Sequence, residues 1–180
     1  MTLSNSRHCS RSWVVVLTLP SLKVVWEVVV PLEPGEPAKL HHGALSRDGD
    51  VAIVANMGPM HGAKSGKTVA AVNWRTGQVL WHAPTVRNAG HVRFLDKDRV
   101  IVLGHQEANL AILDARTGNR LQTWTISGAT SLGHSLAEET GGTVLVLNTS
   151  AGRLVRVGAD GIKGQSPYLG NGVSEASVSE

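Results

Sequence analysis

Three histidines, His42, His91 and His134, stand 49 and 43 residues apart, and fourteen residues beyond each comes a second polar side chain, Asn56, His105 or Asn148. Imidazole titrates near neutrality and is a favoured metal ligand, so three such rings brought to one point would hold a metal ion or an anionic ligand. Left each in its own segment, the same rings would cap turns by bonding backbone. The spacing is compatible with both uses, and the six residues form the expected ligand-binding set. His41 and His105 add imidazoles at no recognisable spacing of their own.

No other constellation competes. Gly62-Ala63-Lys64-Ser65-Gly66-Lys67-Thr68 imitates a phosphate-binding loop, but its glycines enclose three residues instead of four and His61 occupies the place of the first glycine. Such a loop opens a helix, whereas Thr68 leads into the strand-like Val69-Ala70-Ala71-Val72, so a surface loop is expected. Its His61, Lys64 and Lys67 remain able to meet an anionic partner. Asp48 and Asp160 precede glycine as turn residues do, Asp96, Asp98 and Asp114 show no pairing, and Ser46 and Ser135 lack the glycines of a nucleophile elbow. No catalytic residue is assigned.

The elements that would carry the histidines repeat. Asn73-Trp74-Arg75-Thr76-Gly77 returns as Asp114-Ala115-Arg116-Thr117-Gly118, with the glycines 41 residues apart. Each histidine is followed by an apolar strand, at Val51 to Ala55, Val100 to Leu103 and Val144 to Leu147. Then come a second strand, a glycine turn and a third strand. Trp74, Trp81 and Trp124 lie near the closing hairpins and are expected to pack between neighbouring units. Val14 to Leu17 and Val24 to Val30, joined through Leu19-Pro20-Ser21-Leu22, match a closing hairpin alone. Strand-only repeats of about 40 residues predict an all-β, β-propeller-type array of antiparallel blades.

The segment His41-His42-Gly43-Ala44-Leu45-Ser46-Arg47-Asp48-Gly49 followed by Ile53-Val54-Ala55-Asn56 resembles the repeat of YVTN-type β-propellers. Leu145-Val146-Leu147-Asn148 stands at the same place in its unit, and Ile101-Val102-Leu103-Gly104 departs from it. Leu113-Asp114-Ala115-Arg116-Thr117-Gly118 also resembles WD-repeat and quinoprotein-like blades. The resemblance runs from about Trp13 to Gly161; it implies an extracytoplasmic setting and, in some relatives, copper, haem or quinone at histidines. It carries no ligand set onto these positions.

The predicted layout is an N-terminal tail at 1–12, a repeat domain at 13–163 and a flexible tail at 164–180. Within the domain fall a partial blade at 13–37, blades at 38–83 and 84–127, and a partial blade at 128–163. About three to four blades fall short of many closed rings. The chain is then a piece of a longer one, or completes its ring with further copies, or pairs half-blades from its two ends. With 42% hydrophobic residues, 17% charged and 20 glycines the composition suits such a fold. The net charge of +3 is scattered through turns, which argues against nucleic acid. A single Cys9 excludes an internal disulfide framework. Arg7, Arg11 and the apolar run from Trp13 imitate a secretory signal, but Pro20 breaks the run and no small-residue cleavage site follows. No stretch is long enough for a membrane span. The expected function is a binding or scaffolding module for a protein or small ligand, without a cofactor. The alternative is a redox or lyase-like enzyme with a metal, haem or quinone near His42, His91 and His134.

Overall fold

The computed structural model describes residues 12–58, 65–105, 109–126, 136–139, 142–148 and 151–170. Every regular element among them is a strand. A hairpin, β1 (Ser12–Leu17) with β2 (Val24–Val30), precedes three four-stranded sheets. The first sheet is β3 (Leu40–Leu45), β4 (Val51–Asn56), β5 (Thr68–Asn73) and β6 (Val79–Pro84). The second is β7 (Ala89–Phe94), β8 (Arg99–Gly104), β9 (Asn109–Asp114) and β10 (Arg120–Thr125). The third is β11 (Leu136–Glu139), β12 (Thr143–Asn148), β13 (Arg153–Gly158) and β14 (Gly161–Gln165). Each sheet is an antiparallel meander in chain order, and β3 packs against β7. The sheets are stacked blades.

Stacking explains the apolar runs. A strand covered on both faces has no polar side, and its alternating side chains divide between two interfaces. In the middle blade, Val100, Val102, Ala111 and Leu113 join a core with Ile53, Val69 and Ala71 of the first. Their neighbours Ile101, Leu103, Leu110 and Ile112 join Val144, Val146, Val155 and Val157 of the third. The outer β10, by contrast, is almost wholly exposed.

The Arg-Thr-Gly turns owe their sequence to three demands. Asn73 Oδ1 accepts the N–H groups of Arg75 and Thr76, both at 2.9 Å, and Asp114 Oδ1 does the same for Arg116 and Thr117 at 3.0 and 2.8 Å. Such side-chain turns favour Asn and Asp. Gly77 and Gly118 take φ of +75° and +73°, where glycine alone is unstrained. The third demand comes from the preceding unit. Trp81 on β6 lies over Gly118 so closely that a Cβ there would stand 2.5 Å from the ring, and its Nε1–H donates to the carbonyl of Ala115 at 3.0 Å. Trp26 on β2 repeats the contact on Gly77, donating to the carbonyl of Trp74 at 3.1 Å. A Cβ on Gly161 would stand 3.8 Å from the Trp124 ring, an ordinary contact. Trp26 and Trp81 therefore each lock their hairpin onto the turn of the next blade.

The end of the chain differs from the expected partial blade at 128–163 and tail from 164. β14 supplies a fourth strand, and the chain then continues alongside β13 and past its start. Ser166 N–H donates to Leu154 O at 2.8 Å and Leu169 N–H to Gly152 O at 2.7 Å. β14 contains two glycines and one large apolar residue, Ile162, which hides its strand character in the sequence.

Candidate functional site

β3 and β7 open their blades with the same irregularity: one residue, His41 or Gly90, is extra to the pairing with the second strand. Such a bulge re-aims the side chains beside it. Because β3 and β7 pack together, His42 and His91 meet with ring centroids 4.7 Å apart and planes at 47°. His41 meets His91 edge-on at 5.6 Å and donates through Nδ1 to the carbonyl of Gly90 at 3.2 Å. Gly90 is bordered by His105 and by the buried Met57: a Cβ on it would stand 3.6 Å from His105 Cβ and 3.4 Å from Met57 Sδ. The structure thus gathers His41, His42 and His91, with His105 at the margin.

Charge on His42 is disfavoured. Burial holds the His42 pKa below its ordinary 6.5, the positive charge of Arg93 and the neighbouring His41 ring push it further down, and a hydrogen bond to the Val92 backbone opposes them. His42 Nδ1 is buried with no hydrogen-bond partner among the described residues. A depressed pKa means that the unfolded chain binds the proton more readily, so the contribution of His42 is complete above pH 6.5 and is lost as pH falls towards the folded value. Urea titrations from pH 8 to pH 5 should therefore show falling stability, and His42→Gln should flatten the decline. An unchanged slope in the variant would place the titration elsewhere.

Other expected site residues have different settings. Asn56 is fully buried and engaged by the segment before β3: its Oδ1 accepts Lys39 N–H at 2.9 Å, and its Nδ2 donates to Pro37 O at 2.9 Å and Glu36 Oε2 at 3.1 Å. Its observed contacts tie a loop to β4. Asn148 closes β12, with its side chain outside the described residues, and His134 lies outside them altogether, as do His61 to Lys64 of the glycine-rich loop. Among the described residues no group of three His, Cys, Asp or Glu side chains is arranged to hold a metal. Gly66, the second glycine of the loop, is wedged against the backbone of Asn56 and Gly58. Asp114 serves its turn; hydrogen bonds from the Thr117 hydroxyl and backbone hold its carboxyl below the usual range.

No family model matches the sequence, and no curated protein does either. Solved structures resemble its fold. BamB from Moraxella catarrhalis superposes with a TM-score of 0.58 at 15% identity, over 79% of this chain and 39% of that one. Kuenenia stuttgartiensis hydrazine synthase gives 0.67 at 14%, over 85% and 42%. The structure of U3-55K gives 0.66 at 11%, over 86% and 44%. The chain spans about two fifths of the length of these proteins. No helix among the described residues is long and apolar enough to cross a membrane. Four-stranded meanders stacked through their first strands, and their likeness to these structures, make the chain in fold an arc of a β-propeller.

Proposed function

We propose that the chain is a binding or scaffolding module whose partner is a protein. The observation that carries this reading is the outer face of the first hairpin. Directly paired residues share a face, so Val14, Val16, Trp26 and Val28 point one way, buried or half-buried, and Trp13, Val15 and Leu17 point the other way, exposed. The exposed Leu19, Leu22, Val24 and Val25 extend this apolar surface around the turn. Exposed apolar surface of this kind, here interrupted by Glu27 opposite Val15, marks interaction sites. Among the described residues the outer edge of β1 pairs with no further strand, which offers backbone groups beside it.

Self-association is the simplest case to test. Light scattering on the purified 19.0 kDa chain should give a multiple of that mass, and Trp13→Lys with Val15→Lys should return it to the monomer while the melting curve stays cooperative. A monomer at high concentration, with the apolar face inert to substitution, would sink the reading. The His42–His91 pair supports one alternative, a metal- or cofactor-dependent enzyme. Stoichiometric metal or a visible absorption band, lost in His42→Ala/His91→Ala without unfolding, would favour that class.

A further inference from the structure

Between the first and second blades, on their outer side, runs a groove of about 550 Å³ that none of the preceding readings uses. Its charged lining is Lys67, Arg87, Arg120 and Glu36. Lys67 leads into β5, Arg87 lies between β6 and β7, and Arg120 opens β10, so the cations converge only when the two blades dock. Glu36 does not neutralise them one for one. It is 8% exposed, and its carboxylate is occupied by Lys67 N–H at 2.9 Å and by Asn56 Nδ2. Neither Lys67 nor Arg120 has an acidic partner among the described residues. Arg120 is instead laid across the groove by its Nη2, which donates to Pro84 O at 3.1 Å and Thr85 O at 3.3 Å. One nitrogen makes both contacts, and a guanidinium has five N–H donors in all.

We propose that this groove binds an extended acidic peptide segment, with its carboxylates on Lys67, Arg87 and Arg120. Three features select this ligand among anions. The volume falls in the range of an organic ligand and exceeds the needs of one inorganic ion. The described residues contain no helix, so the ready-made phosphate site at a helix N-terminus is missing from the lining. One wall is β10, the edge strand of its sheet, where Thr123 lines the groove. An edge strand offers its unpaired N–H and C=O groups to an extended chain, and the flanking cations then read that chain's side chains. The inference is independent of the hairpin face and stands whether or not the protein self-associates.

The probe is a fluorescein-labelled hexaglutamate peptide, followed by anisotropy against the intact chain in low and moderate salt. Binding is expected in low salt, weakening as salt screens the exposed charges. Lys67→Glu with Arg87→Glu should weaken it by about tenfold or more, since two attractive contacts become repulsive. Both side chains are exposed, so the fold should survive; should the double variant fail to melt cooperatively, Lys67→Gln alone is expected to reduce affinity in the same direction. No binding by the wild-type chain in low salt, or equal binding by a folded variant, overturns the proposal. So does displacement of the peptide by pyrophosphate at lower concentration than by unlabelled hexaglutamate, which would assign the groove to phosphate.

Discussion

Trp81→Ala is expected to cost about 3–5 kcal/mol of unfolding free energy, the range for truncating a buried aromatic side chain. Only 9% of Trp81 is exposed, and its ring fills the contact between the first blade and the turn of the second. Removing it opens a cavity where the next blade docks and leaves the Ala115 carbonyl without its donor. Trp81→Phe keeps part of the apolar area and loses the hydrogen bond, so an intermediate loss is expected. Urea unfolding checks both, and a loss below about 1 kcal/mol for alanine would show that the lock is not needed. Gly118→Ala sharpens the test. In the wild-type background it suffers both the positive φ and the ring only 2.5 Å away, whereas beside Trp81→Ala only the backbone strain of about 1–3 kcal/mol remains. The two substitutions should therefore be strongly non-additive.

Gly66→Ala is expected to be as damaging for a different reason. Its φ is not in the left-handed region; the obstacle is space. A Cβ would lie 2.1 Å from the carbonyl oxygen of Asn56 and 2.7 Å from the nitrogen of Gly58, both backbone atoms that cannot swing aside. Gly66 N–H also donates to Met57 O at 3.0 Å, and its own carbonyl accepts Ala89 N–H at 3.3 Å. Displacing it disturbs the end of β4 and the start of β7 together. A loss above about 3 kcal/mol or failure to accumulate folded protein is expected, near the upper end for single substitutions. Gly164→Ala is the control, with nothing within 4 Å of its added methyl, and should change the melting temperature little. Equal melting of the two variants would refute the packing role of Gly66.

The repeat was legible because its determinants are local. The Arg-Thr-Gly turns carry their own side-chain caps, and β4, β5, β8 and β9 are apolar between their ends because both faces are covered. Features built by contacts distant in sequence left little trace. Nothing near Asn56 in the chain announces Glu36 and Pro37, twenty and nineteen residues earlier, as its partners. The pairing of His42 with His91 followed the histidine register, but His41 entered the cluster through a bulge, and its only written sign is the His41-His42 doublet. Arg87 and Arg120 leave no mark in the sequence because each stands alone on its own segment. Their shared groove exists between blades, where periodicity is silent.

The division of β8 and β9 between two cores restricts how such a chain can be recombined. Val100, Val102, Ala111 and Leu113 are cut to the volume of one neighbour, and the bulkier Ile101, Leu103, Leu110 and Ile112 to that of the other. Neighbour order is thus written into alternate letters of the same strand. A transplanted or duplicated blade would bring the wrong relief to at least one side, so viable crossovers should fall inside blades, exchanging half of one with half of the next.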